Sequence, residues 1–538
     1  MRFHSSVARR CAGVGVWLGV CFSTAFAAPP AAPVVQTSAD IKLLNFDWDI
    51  IPQSNYYELW FKANNGAPYV KFMESVPWRP HAFNNISAHQ LDWDQARYLV
   101  KACNPSGCSS SAALSVKSHM FESLGYFKGA SSYAGAQFGI ASAISEDGLY
   151  IASFVAHEPG GEADPAVIRI YTKASGSWRQ QARIVPSPST DTRKNRGLRG
   201  PQGRLALSAD GSTLAVGMPY RNNTGIGTRS YGSIAIYHRS GTSWTREYQQ
   251  INPDETGRLG ALQLSADGSR VVYSLDPNAP LQVLEHTTAG WVKGAPIPDF
   301  PKGTENYHCG DWYARLSGDG QTLARVCNSG FGDGSPRPYL LVIAKAPDWS
   351  VKYEFDFEKR LGQGFNQLAI DYDGNTLAFS TNPGEMPVDF MSQVYAWKIA
   401  NGSLHTSLLH AGEWTDPLNY GSHYGDALAV SRDGAWLAVS DPWDRGAGMG
   451  VLTPPLQPTQ NRTGATYIYD IRNATPQLRR VLKPNNPATG LREDPGVAFA
   501  NSGKTLLIAD PTDDSGATGI DGNRNDTSKT DAGALWLY

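Results

Sequence analysis

Apolar and polar positions alternate along most of this chain, and one short phrase keeps returning: an apolar run, a small polar residue, Asp-Gly or a close relative, then a second apolar run. It is clearest at Ser208-Ala209-Asp210-Gly211, Ser265-Ala266-Asp267-Gly268, Asp371-Tyr372-Asp373-Gly374 and Ser431-Arg432-Asp433-Gly434. Weaker copies stand at Asp147-Gly148, Asp319-Gly320 and Ser502-Gly503, so the seven turns fall 52 to 69 residues apart. Period-two alternation predicts half-buried strands, and Asp-Gly between two such runs predicts a tight hairpin, because glycine supplies positive φ without steric strain. Self-similarity at this period predicts a repeat architecture.

Each complete unit holds four strand candidates. In the second they are 204–207, 213–217, 232–238 and 244–248, and the fourth strand begins near a tryptophan in several units (Trp178, Trp244, Trp291, Trp349). Four antiparallel strands repeated seven times describe a seven-bladed β-propeller over 119–538. The last unit reaches only its third strand, at Gly533–Tyr538, while the apolar stretch 119–128 precedes the first unit with no other role. That stretch is expected to supply the outer strand of the last blade, since an open ring would leave an unpaired sheet edge.

Residues 30–118 read differently. The order Phe46-Asp47-Trp48, Tyr57-Glu58-Leu59-Trp60, then Tyr98-Leu99-Val100-Lys101-Ala102-Cys103-Asn104-Pro105 resembles a fibronectin type III domain of about ninety residues. Another small immunoglobulin-like sandwich is the alternative. In the repeats, Phe138-Gly139-Ile140-Ala141, Leu214-Ala215-Val216-Gly217-Met218-Pro219 and Gly464-Ala465-Thr466-Tyr467-Ile468-Tyr469 resemble the FG-GAP repeats of integrin α-chain propellers and their bacterial relatives. The resemblance implies a propeller that binds ligands on its loop face. No Arg-Gly-Asp sequence is present.

Arg2, Arg9 and Arg10 lead an apolar stretch ending Ala25-Phe26-Ala27, the order of a secretory signal over 1–27, and no later run is long and apolar enough to span a membrane. The mature chain is therefore expected to be exported. Its four cysteines form two close pairs: Cys103 with Cys108 across a turn, and Cys309 with Cys327 around the Asp319-Gly320 hairpin, which favours disulfides over metal thiolates. With 47 basic and 49 acidic residues and no basic block, nucleic-acid binding has no electrostatic footing.

Candidate chemistry is sparse. The calcium turn of the integrin family needs several carboxylates, and Ser-Ala-Asp-Gly offers one, so these aspartates read as turn formers. The 510–531 loop is more acidic. Asp513, Asp514, Asp521, Asn523, Asn525 and Asp531 give it calcium-like spacing, although glycine and the closing glutamate of an EF-hand loop are absent. A solvated polar loop is the other reading, and no cofactor is required. No nucleophile elbow, HExxH helix or phosphate loop occurs, and His157, His238, His308 and His423 stand alone.

The second-to-third strand connections are long in units one, two, six and seven, which are neighbours around a closed ring. They are expected to form a raised crescent bearing Tyr220, Arg221, Asn222, Asn223, Trp443, Asp444 and Arg445, residue types that anchor interfaces. The function this implies is an exported, non-enzymatic binding or adhesion protein for a protein or carbohydrate ligand. The alternative is a secreted propeller hydrolase or lyase acting on polysaccharide, with carboxylates gathered from separate blades.

Overall fold

The structure, a computed structural model, describes residues 28–76, 78–156, 166–173, 176–186, 204–223, 228–252, 259–275, 280–298, 300–302, 305–309, 313–329, 339–356, 364–382, 392–400, 403–409, 423–457, 459, 462–484 and 496–538. The leader (1–27) and 157–165 of the first unit's long connection lie outside these residues. Among the described residues the chain is all-β, and its one helical element is a 3-10 turn at Lys117–His119.

The N-terminal segment folds as two facing sheets. One has three strands (Val35–Asp40, Leu43–Trp48, His81–Asn85), and the other is built around Tyr56–Lys62 and Arg97–Asn104. Leu43–Trp48 buries every second residue, as period-two patterning requires, placing Leu44, Phe46 and Trp48 in the core. Trp48 meets Tyr57 edge-on, with ring centres 5.1 Å apart. Cys103 and Cys108 are joined by a disulfide.

From Gly125 onward the chain is a β-propeller built of antiparallel sheets. The second sheet is Arg204–Leu207, Thr213–Asn223, Thr228–Ser240 and Ser243–Ile251, in that order. The first, third and fifth sheets repeat this four-strand meander, the fourth and sixth add strands to it, and the last is Val497–Ala500, Thr505–Asp510, Ala534–Leu537 and then Gly125–Phe127. Inner strands of successive sheets touch in order, and Val497–Ala500 touches Ser142–Ile144 of the first. The expected closure is present: Leu535 pairs with Phe127, Trp536 with Tyr126 and Leu537 with Gly125. In the fourth sheet Cys309 lies opposite Cys327 in register, and Cys327 is disulfide-bonded.

The Asp-Gly turns explain the repeat. In five of them a serine hydroxyl donates to the turn aspartate at 2.5–2.7 Å, as Ser145 to Asp147, Ser208 to Asp210, Ser265 to Asp267, Ser317 to Asp319 and Ser431 to Asp433. The same hydroxyl accepts the amide five residues on, for example Thr213 N to Ser208 Oγ at 2.9 Å. Turns so fixed bond to one another around the ring. Asp147 N donates to Ala209 O, Ala209 N to Ala266 O, Ala266 N to Gly318 O, Asp319 N to Tyr372 O, Tyr372 N to Arg432 O, and Asn501 N to Glu146 O, all at 2.7–3.3 Å.

Expectations about three of the long connections are corrected. In the second sheet, Met218–Tyr231 is not an open loop but a continuation of the hairpin, with Tyr220 opposite Tyr231 and Asn223 opposite Thr228. In the sixth, the connection turns back, and Gly450–Leu452 pairs with the outer strand Gln477–Lys483, covering an edge instead of rising from the face. In the seventh, the isolated bridge of Ile520 to Phe127 and the bond from Lys128 N to Gly519 O cover the closing strand in the same way.

The sandwich is fixed to the propeller at the Asp-Gly face. Lys42 Nζ donates to the carbonyls of Lys504 and Tyr538 at 2.8 Å each, and buried His89 donates to Gly503 O at 2.9 Å. Arg480 reaches Leu91 O and Asp92. An apolar cluster runs from Phe46 and Trp48 through Met120 and Leu124 to Trp536 without a break.

Two outcomes are expected. Removing residues 119–128 leaves the outer edge of Leu535–Leu537 unpaired, and the truncated protein should lose at least about 10 °C in Tm by calorimetry. Asp371 replaces the turn serine in the fifth sheet, and burial, with Asp373 beside it, pushes its carboxyl up to about 6. A carboxyl raised on folding stabilises below its unfolded value and loses that stability as pH rises through about 6. Asp371→Ser should therefore raise stability above pH 6 by about 2 kcal/mol, with the gain vanishing near pH 4 in urea unfolding.

Candidate functional site

The end of the sixth sheet opposite the Asp-Gly turns gathers more polar chemistry than sequence spacing indicated. His423 and Asp426 stand just before the inner strand Ala427–Val430, and their Nδ1 and Oδ2 atoms are 2.6 Å apart. Asn366, from the fifth sheet, donates to the other Asp426 oxygen at 3.0 Å. Asp441 ends the second strand and accepts the Trp443 amide at 3.0 Å. Burial first, then the nearby Asp444 carboxylate, push Asp441 up to about 7, and Asp426 adds to the effect.

Trp443 lies between two cationic or polar groups. The His423 ring centre is 3.6 Å from it on one side, and the Arg462 guanidinium is 4.3 Å from its ring. Farther round, the inner strands of the second and fourth sheets begin with Arg204 and Arg315 at the same end. Burial, with the charge of Arg204, brings Arg315 down to about 10.

Asp444 is not displayed to a ligand. It is buried, paired with Lys483 Nζ at 2.5 Å, bonded by the Tyr467 hydroxyl, and caps Gly446 N at 2.8 Å. Asp513 of the acidic loop has the same fate. Its Oδ1 takes Lys128 Nζ, the Tyr126 hydroxyl and Ser515 N, each at 2.9 Å, with both charged side chains buried.

These are two copies of one device. Asp441-Pro442-Trp443-Asp444 and Asp510-Pro511-Thr512-Asp513 each end a second strand, and the second aspartate turns inward to a lysine at the end of the outer strand. The signal was legible in the sequence as a repeated Asp-Pro-x-Asp answered by Lys483-Pro484 and Lys128-Gly129. Sequence reasoning missed it because the lysines come from the far ends of their sheets.

The remaining expected residues are dispersed. Tyr220, Arg221, Asn222 and Asn223 lie on the extended hairpin, and their side chains fall outside the described residues. The Arg445 carbonyl accepts Thr459 N, tying the sixth connection to itself. In the last loop, Asp514 takes the Asp531 amide at 3.0 Å, Asp521 takes Tyr126 N and Arg524, and Asn523 takes Asn525 N. Among the described residues no three carboxylates of this loop converge. The one cluster with metal-ligand spacing among the described residues is Glu58 with Cys103 and Cys108, and those cysteines are already bonded to each other.

No protein-family model matches the chain, and no curated protein matches it in sequence. Among solved structures it is similar to the β-propeller domain of Cps50 (Swd1) from Myceliophteria thermophila, at 12% identity and a TM-score of 0.42 over 77% of this chain and 99% of that one. The Dos1 propeller matches at 12% identity and 0.41, over 77% and 93%. The periplasmic gluconolactonase PpgL of Pseudomonas aeruginosa matches at 14% and 0.35, over 79% and 95%.

Removing one member of a buried ion pair strands the other. Lys483→Met should lower stability by about 3–5 kcal/mol, and adding Asp444→Asn should recover much of the loss, as read in urea unfolding of the single and double variants.

Proposed function

We propose that this chain is an exported binding protein. In this reading a seven-bladed, FG-GAP-like propeller, closed by 119–128, carries a fibronectin type III-like sandwich and presents its loop face to a protein or glycan. The cyclic contact of the inner strands and the pairing of Gly125–Phe127 with Ala534–Leu537 support the blade count and closure. The Arg-led leader and the disulfide chemistry support export, and no described helix is long and apolar enough to cross a membrane.

One observation carries the binding reading. At the loop face, Asp444 and Asp513 are locked inside by lysines, whereas Trp443 stands half-buried between His423 and Arg462. An aromatic ring held rigidly beside a guanidinium offers a flat apolar face and a charge together, which suits a sugar ring or a peptide segment. The hydrolase reading retains one specific support: Asp441, raised to about 7, beside the His423–Asp426 pair has the poise of a general acid.

On a glycan array and on immobilised cell-surface extract, the protein should be retained, and Trp443→Ala should weaken retention by about tenfold with the circular dichroism spectrum unchanged. A panel of polysaccharides incubated with the protein should show no cleavage. Turnover that disappears in Asp441→Asn would replace the binding reading with the enzymatic one.

A further inference from the structure

On the opposite face, the Asp-Gly turns and the tip of the sandwich enclose a cleft of about 860 Å³. Four cationic side chains line it: Lys42, Lys173, Arg432 and Lys504. Three acidic residues line it too, but each is committed to the turn belt. Asp147 Oδ1 takes Ser145 Oγ at 2.5 Å and Leu149 N at 2.9 Å, and Asp210 Oδ1 takes Ser208 Oγ at 2.7 Å and Ser212 N at 2.9 Å. Glu146 takes Ser502 N at 2.8 Å.

The ammonium groups are differently placed. Lys42, held at φ 59° in the turn between the first two strands, donates to the Lys504 carbonyl and to the main-chain oxygen of Tyr538, and to no side-chain carboxylate that lines the cleft. Lys173 Nζ reaches the Ile41 carbonyl at 3.4 Å. Burial and the charge of Lys173 bring Lys42 down to about 7, and burial lowers Lys173 as well, with Asp40 opposing. Arg432 lies 3.5 Å from the Tyr372 ring, leaving its charge near Glu146. Ammonium groups that share one cleft are stabilised by an anion between them. The volume falls within the range of small-ligand pockets, and Trp178 supplies an apolar wall.

We infer that this interdomain cleft is a binding site for a small ligand bearing an oxyanion group, held between Lys42 and Lys173 with Lys504 and Arg432 at its rim. The sandwich then forms half of a binding site and is more than a spacer. Because this cleft lies on the face away from Trp443, it stands independently of the loop-face reading.

Isothermal titration of the purified full chain with inorganic phosphate, inorganic sulfate and digalacturonate at low ionic strength tests it. At least one of the three should bind, and Lys173→Gln/Lys504→Gln should weaken that binding by about tenfold with Tm essentially unchanged. Digalacturonate alone would identify a carboxylated glycan as the source of the oxyanion; phosphate or sulfate would identify a free anion. Independently of any variant, Lys42 should be acylated at pH 7.5 ahead of the other lysines, and the bound probe should slow it by about fivefold. Absence of binding by all three probes, unchanged affinity in the double variant, or acylation of Lys42 indifferent to saturating probe would overturn the assignment.

Discussion

The seven turns at one end of the sheets set the geometry that everything else inherits. Backbone bonds between successive turns from the first sheet to the sixth, and between the seventh and the first, fix the angle and height at which one sheet meets the next. Each such bond is worth about 1 kcal/mol, and their larger contribution is registry. The glycines answer to this constraint as much as to the hairpin. Gly374 has φ 71°, and a Cβ there would sit 2.4 Å from Thr322 Oγ1 of the preceding sheet. Gly211 would meet the Tyr150 ring at the same distance. In the five Ser-x-Asp-Gly turns the single aspartate is thus consumed in holding a hub.

With the hub fixed at one end, the other end is free to vary, and the long connections there do two jobs. Those of the sixth and seventh sheets run down the outer edges and protect the strands beside the closure, where Gly450 packs so close to Met120 that a Cβ would lie 2.5 Å from its methyl. The buried Asp–Lys pairs anchor the start of each strap. A buried pair gives little net stability against an apolar substitute, but it penalises any arrangement in which one partner is left alone. It therefore selects the single path by which the strap leaves the sheet.

Much of the architecture was legible because its determinants are local. The alternation around Leu214-Ala215-Val216 and the Asp-Gly turns predicted strands whose inner and outer members the structure reproduces, and the lack of a fourth strand after Trp536 pointed to 119–128. What was not legible depends on partners distant in sequence. Asp444 in isolation reads as a polar loop residue, and only Lys483, 39 positions on, makes it an interior one. Likewise, Met218–Tyr231 was too polar to read as strand, because its sequence carries no apolar alternation.

The junction carries the same logic to the scale of domains. The seventh turn also presents carbonyls outward, at Gly503 and Lys504, and the N-terminal sheets meet these and the main-chain oxygen of Tyr538 with donors from two loops, Lys42 from one and His89 and Gln90 from the other. Lys42 adopts a left-handed backbone conformation that a lysine ordinarily avoids, so the contact holds it against a local preference. A spacer would need no such strain. The hub face meets the N-terminal sheets through Lys42, His89 and Gln90. Whatever either face recognises is recognised against a frame that the seven turns hold still.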